Sequence, residues 1–416
     1  MRDHGTSESQ GAEIDPRAYL LALGMFAIGT DAYIVAGVLP QIADNLSTSL
    51  SAAGLVVSVF SLSYAVGSPI ASAITTSWRR SIVLVGGLGV FALANLLSAA
   101  SPSFASLLAT RVVAALAAGL VAPASYALAS TMASSKNRGK MLAIVAAGFT
   151  GAMVLGVPLG VTASSYVGWR GAFAFVGVLG AVAAAAMLFA GVPDRRGGES
   201  EVTIRKQMRL AGRSETLFAL APFLLWSIAN FGLYTFIVAI LGRHVSARAI
   251  PIMLLLFGIG SIAGNFVGGA LADRYGTRLP TKVILITLIV ALGTIGATST
   301  SLFLEGTNLI VWAVAMAALF TLQQQRMISI DGQQSNLLIA LSNATLYLGA
   351  SIGAAVQGMV ISVSSLDFVP VASAAIAGLA LLALVLFPQP GSDTEEGRHQ
   401  DASDRRRERH RKTVNG

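Results

Sequence analysis

Residues 18–40 read AYLLALGMFAIGTDAYIVAGVLP, and this stretch decides how the rest of the chain is understood. With a rise of about 1.5 Å per residue, a helix of this length crosses the roughly 30 Å hydrocarbon core of a bilayer. Asp31 then lies well inside the apolar layer and is the one charged residue in the stretch. An ionised carboxylate is costly there unless it faces a partner or a wet cavity, so an acid kept at that depth points to function. Asp31 is therefore a candidate proton carrier. The competing reading is a protonated side chain that only hydrogen-bonds a neighbouring helix.

The remainder of the sequence has the same character. Of 416 residues, 54% are hydrophobic and 12% are charged, against about 25% charged in soluble domains. The chain has no cysteine, which excludes disulfides, thiol chemistry and Cys-ligated metals. Its four histidines lack metal-binding spacing, so neither a metal nor a cofactor is expected. The net charge of +8 does not indicate nucleic acid, because the basic residues fall in short segments between apolar runs and in the C-terminal tail. Residues 1–17 are polar and mixed in charge, unlike a cleavable signal peptide.

Splitting the apolar runs at charges and turn clusters gives twelve spans: 18–40, 52–74, 81–100, 103–132, 141–163, 172–192, 217–241, 250–272, 282–299, 307–324, 339–363 and 369–387. The expected fold is an all-α membrane protein with twelve transmembrane helices. Its parts are an N-terminal tail (1–17), a first six-helix bundle (18–193), a basic central loop (194–216), a second bundle (217–388) and a disordered tail (389–416) whose arginines could touch anionic lipid. With both termini on one side, the segments on that side hold 24 of the 28 Lys and Arg residues. The opposite loops hold Arg170, Arg243 and Arg248, and Arg111 lies within a span. The excess of positive charge puts both termini in the cytoplasm.

The halves echo each other. Gly151 and Gly349, Gly160 and Gly358, and Arg80 and Arg278 are each separated by 198 residues. Parallel six-helix repeats around a midplane site are a transporter architecture, in which one half rocks against the other.

Three motifs and their surroundings carry the mechanism. The eighth span ends in Gly269-Ala-Leu-Ala-Asp273-Arg274-Tyr-Gly276-Thr-Arg278, a tight turn with an acid and bases that could latch neighbouring helix ends. At the equivalent place in the first half only Arg79 and Arg80 remain, with Thr75 and Trp78 where an Asp and a Gly would stand. Arg111 opens Arg111-Val-Val-Ala-Ala-Leu-Ala-Ala-Gly119 in the fourth span. Counted from the outer ends of their spans, Arg111 lies about 12 Å deep and Asp31 about 13.5 Å deep. The guanidinium could thus supply the carboxylate with a counter-charge, or else bond backbone carbonyls and join helices. The fifth span carries Gly148, Gly151, Gly156, Pro158 and Gly160. Glycines at this spacing let backbones approach closely and Pro bends the helix, so the run could form a generic packing seam or seal one half against the other. The eleventh span mirrors it with Asn343, Gly349, Gly353 and Gly358.

From residue 18 to residue 388 the chain resembles the major facilitator superfamily, and within it the twelve-span drug:proton antiporters of the arabinose-efflux-like and chloramphenicol-exporter-like kind. The loop after the eighth span is similar to the superfamily's cytoplasmic signature, and Arg111 with Gly119 to its fourth-helix motif. The fifth span resembles the antiporter signature, with Val157 intervening before Pro158 and Val161 in place of the last Gly. Gly168-Trp169-Arg170 also matches the family's outer loop. The resemblance implies a monomeric proton-coupled exporter in a bacterial inner membrane, acting on small amphipathic or antibiotic-like molecules. Export of a sugar or an amino-acid-like metabolite is the alternative.

On the helices that line the cavity in that superfamily, the candidate substrate contacts are Tyr33, Tyr126, Trp226, Asn230, Tyr234 and Asn343. Trp226, Asn230 and Tyr234 share one helix face at i, i+4 and i+8. Glu305 and Asp367 are expected in outer loops, which leaves Asp31 as the intramembrane carboxylate. No nucleophile elbow, metal cluster or phosphate-cradling loop suggests an enzyme. A receptor would need a soluble output domain, for which neither tail is long enough.

Overall fold

The computed structural model describes residues 14–75, 78–134, 137–191, 209–296 and 301–386. Most of the expected N-terminal tail, the expected central loop as far as residue 208, and the whole expected disordered tail lie outside the described residues.

Helices account for nearly all of the described chain. The first half contains α1 (Arg17–Asn45), α2 (a turn Leu50–Ala53 continuing as Leu55–Ile74), α3 (Arg80–Ala99) and α4 (Phe104–Met132). A long rod follows: Arg138–Gly151, a π-helical turn Ala152–Gly156, and Val157–Phe189. Gly168 breaks it, with φ of +72° that a side chain would resist, so the rod divides into α5 (138–167) and α6 (169–189). The second half contains α7 (Ser214–Thr235 with the turn Ile237–Leu241), α8 (Ile250–Tyr275), α9 (Arg278–Thr294), α10 (Leu302–Ile330), α11 (Ser335–Val363) and α12 (Phe368–Leu386).

Among the described residues ten helical stretches are long and apolar enough to cross a membrane. The 52-residue stretch Arg138–Phe189 is one of them and folds into two, and the 17-residue α9 falls just short. This agrees with twelve spans in an all-α membrane protein.

Local sequence explains the helix ends. Ser103 and Ser106 form a reciprocal capping box at the start of α4, and the Ser49 hydroxyl accepts from the Ala52 N–H at the start of α2. Gly276, at φ +68°, ends α8. Within the helices, prolines leave carbonyls four residues earlier without their helical donor, and neighbouring helices answer them. The Ser68 hydroxyl of α2 donates to the Gly119 carbonyl freed by Pro123, at 2.9 Å. Arg326 of α10 donates to the Phe218 carbonyl freed by Pro222, at 3.1 Å.

The same pairings recur in each half: α5 packs on α1 as α11 packs on α7, and α2 on α4 as α8 on α10. Close approach depends on glycine. A Cβ on Gly148 would overlap the Ala22 backbone, and one on Gly353 would overlap the Ile228 carbonyl. The halves meet where α2 lies along α11 and where α5 lies along α8.

Two expectations are corrected. Glu305 is not in a loop: α10 begins at Leu302, and the side chain is buried in its first turn, accepting from the Gly296 N–H at 3.3 Å. The fifth-span glycines do not form the contact between halves. Gly148, Gly156 and Gly160 face Ala22, Thr30 and Ile34 of α1 in their own half, because a bare backbone is needed where α1 approaches most closely. The contact across the halves comes instead from Gly258 of α8, seated on Met153 and Val154 of the π-helical turn.

Candidate functional site

Asp31 stands at the middle residue of α1, and Arg111 lies two turns into α4. Their side chains meet in a two-pronged ion pair: Arg111 Nη1 donates to Asp31 Oδ1 at 2.8 Å, and Nη2 donates to Oδ2 at 3.1 Å. Nη1 also donates to Asn95 Oδ1 of α3 at 3.2 Å, while the Asn95 amide donates to its own helix at the Phe91 carbonyl. Both charged side chains have 0% exposure. The guanidinium carbon lies 4.4 Å from the ring centre of Phe60 in α2 and 5.2 Å from that of Phe173 in α6. Two charges removed from water need such geometry, because desolvation alone costs several kcal/mol per ion. Thr30, beside Asp31, is pressed against Gly156, so the fifth-span glycines fix the height of the carboxylate.

Next to this pair, between the halves, lies a narrow pocket. Its N-terminal wall includes Tyr33 of α1 with Val57, Phe60 and Ser61 of α2, and its C-terminal wall includes Phe231 and Tyr234 of α7 and Tyr347 of α11. None of its lining side chains is charged. Only about 30 Å³ is open to the centre of a water-sized sphere, far below the roughly 300–1,000 Å³ of an occupied ligand site. The rings close on one another. Tyr33 meets Tyr234 edge-on at 5.5 Å and Phe231 at 6.3 Å, and Tyr64 of α2 stacks on Tyr347 at 3.9 Å.

The structure sorts the expected contact residues. Tyr33 and Tyr234 reach the pocket. Trp226 and Asn230 are buried behind it: Trp226 stacks on Phe223 at 4.8 Å, and Asn230 Oδ1 accepts from Trp312 Nε1 at 2.6 Å. Among the described residues the Trp226 Nε1 and Asn230 Nδ2 donors have no protein partner. Asn343 accepts from Gln324 of α10 at 3.3 Å, away from the pocket. Tyr126 is half-buried and does not line the pocket. The loop residues Asp273, Arg274, Gly276 and Arg278 are exposed, and no ion pair of theirs occurs among the described residues. Arg79 is exposed and Arg80 half-buried at the start of α3.

Sequence reasoning missed Phe60, Phe231, Tyr64, Tyr347 and Asn95. The aromatic residues had no signal of their own inside apolar runs. Asn95 was legible as a lone amide in the third span. Gln323, inside the tenth span, and Arg326, beyond its expected end at 324, were also missed; they donate to the Ala219 and Phe218 carbonyls of α7.

Comparison with known proteins agrees with this architecture. The chain is 30% identical over 377 residues to the inner membrane transport protein YdhP of Escherichia coli strain K12, covering 90% of this chain and 96% of that protein. It is 35% identical over 262 residues to a chloramphenicol resistance protein of Streptomyces lividans, covering 62% of this chain and 66% of that protein. Among solved structures, the nucleoside transporter NupG superposes with a TM-score of 0.75 at 12% identity, over 90% of this chain and 99% of that one. A bacterial homologue of the human lysosomal transporter Spinster, inward-facing and occupied, gives 0.71 at 18% identity, over 90% and 97%. These two likenesses establish the fold alone. Residues 21–330 match the profile of the Major Facilitator Superfamily, and with the twelve-span architecture and the similarity to YdhP they place the chain in that superfamily of membrane transporters.

Proposed function

We propose that this transporter is a proton-coupled exporter of small amphipathic organic compounds, working by alternating access in a bacterial inner membrane with both termini cytoplasmic. The observation that carries the proposal is the fully buried Asp31–Arg111 pair set directly behind an aromatic, uncharged pocket between the halves. Asp31 exchanges its bond to Arg111 for a proton when the halves move, and the bound compound and the proton exclude each other. Inward proton flow then drives outward movement of the compound.

The pocket suits a compound that offers a planar or apolar body and few charges, because its walls supply ring faces and phenol hydroxyls. A zwitterionic metabolite would leave its charges unmatched there. The name of the Streptomyces lividans relative supports an antibiotic-like compound. The hydrogen bonds that α2 makes across the halves, from Ser51 to the Gly358 carbonyl at 2.6 Å and from Ser58 to the Ser351 carbonyl at 3.0 Å, lie toward the face opposite the termini. With the termini cytoplasmic, these bonds would hold the outer side closed in this arrangement.

The test is accumulation of a fluorescent amphipathic dye, with a growth-inhibition panel across antibiotic classes, in an efflux-deficient host. Expressing cells should hold less dye, and a protonophore should erase the difference. A difference that survives the protonophore would remove proton coupling.

A further inference from the structure

Phe60 belongs to two environments at once. With Val57 and Ser61 it presents one face of α2, at i, i+3 and i+4, to the central pocket. The same ring lies 4.4 Å from the guanidinium carbon of Arg111, whose Nη atoms are hydrogen-bonded to Asp31 and Asn95. Ala32, the neighbour of Asp31 in α1, also lines the pocket, but Phe60 is the lining residue whose ring lies over the guanidinium. Phe60 is 3% exposed, and Asp31, Arg111 and Asn95 are 0% exposed. The Phe60 ring therefore borders both the pocket and the buried guanidinium.

We propose that Phe60 is the positioning residue that couples pocket occupancy to the ion pair. With the pocket collapsed, its ring covers the guanidinium and keeps water from the carboxylate. A compound large enough to fill the pocket must push this wall back, since the present space admits little more than water. Displacing the ring takes one of two aromatic faces from Arg111, leaving Phe173, and opens a route from the pocket to Asp31. Once the compound has left, water filling the widened pocket relays a proton from the bulk to a carboxylate oxygen, so compound and proton still exclude each other, and Arg111 then keeps its charge without its counter-ion. The inference rests on the reading of Asp31 as the proton site and of the pocket as the compound's site, and it names the side chain that links them.

The chain has no cysteine, so Asn95→Cys introduces a single thiol on the ion-pair side of the ring. Purified protein in proteoliposomes is treated with a small uncharged methanethiosulfonate, and the rate of labelling is followed by mass spectrometry. The thiol of N95C alone should react slowly. In N95C/F60A it should react about tenfold faster or more, as expected when a desolvated cation loses its ring. In N95C/F60W, which restores a ring, labelling should return to the slow rate. Equal rates in all three variants would overturn the proposal. Fast labelling that the Trp variant does not restore would also overturn it, since that marks general loosening.

A second measurement separates this inference from the reading beneath it. F60A vesicles should lose an imposed pH gradient several-fold faster than wild type without any transported compound, and F60A/D31N vesicles should not. A thiol uncovered by F60A and covered again by F60W, with no such leak, would keep Phe60 as the partition and remove Asp31 as the proton site.

Discussion

Asp31 and Arg111, eighty residues apart in sequence, present both carboxylate oxygens to both terminal guanidinium nitrogens at 2.8 and 3.1 Å with no exposure to solvent. Removing one partner of such a pair strands the other charge and typically costs about 3–5 kcal/mol. Asp31→Ala and Arg111→Ala should therefore each lower the thermal midpoint in detergent, while the double variant Asp31→Asn/Arg111→Met should recover most of the loss. Additive losses would show that the two side chains do not depend on each other. Arg111→Lys keeps a charge but not the two-pronged fork, so it should fold while transport falls.

Arg326 and Pro222 form a second dependent pair. The Phe218 carbonyl lacks its helical donor because Pro222 has no N–H, and Arg326 supplies one. Arg326→Leu should destabilise by about 1–3 kcal/mol, the cost of leaving a buried acceptor unmet. In a Pro222→Ala background the cost should shrink, because the helix then satisfies that carbonyl itself. A double-mutant cycle on unfolding midpoints measures this coupling, and a coupling of zero would refute the account.

The seam between α1 and α5 predicts a sharp contrast among glycines. A Cβ at Gly148 would overlap the Ala22 backbone, whereas one at Gly89 of α3 meets nothing within 4 Å. Gly148→Ala should cost about 1–3 kcal/mol by overpacking. Gly89→Ala should be neutral to within about 0.5 kcal/mol or mildly stabilising. Similar midpoints for both would argue against the seam.

Ser51 and Ser58 hold α2 to α11 through hydroxyl–carbonyl bonds across the halves. Each bond is worth about 1 kcal/mol, so losing both should shift the balance between access states by roughly tenfold or more. An Ala350→Cys thiol in the pocket wall gives the readout. Ser51→Ala/Ser58→Ala should speed its labelling by an impermeant reagent added outside. An unchanged rate would mean that these bonds do not hold the outer side closed.

The fold was legible because lipid imposes a long apolar helix, and charges and turn residues mark its ends. The predicted limits of α4, α8, α11 and α12 match the observed helices closely. Asp31 and Arg111 were legible for a related reason: a charge inside such a run stands out. Rotation about each helix axis was not legible. Facing lipid and facing the core are both apolar, so Phe60, 3% exposed, looks the same in sequence as Phe266, 77% exposed, or Phe303, 80% exposed. Tyr33 and Tyr234 were legible, but for that reason the Phe60, Phe231 and Tyr347 walls were not, and Trp226 and Asn230 lie one layer behind the pocket. The true end of α10 was missed because Gln325 and Arg326 read as a loop, although Arg326 bonds an α7 carbonyl inside the fold.

The most direct test of the central claim is transport of a compound identified by the growth panel, measured in proteoliposomes under an imposed pH gradient, for wild type and Asp31→Asn. The account predicts that wild type moves the compound against its concentration gradient while D31N only equilibrates it. A D31N protein that still concentrates the compound as wild type does would contradict the account.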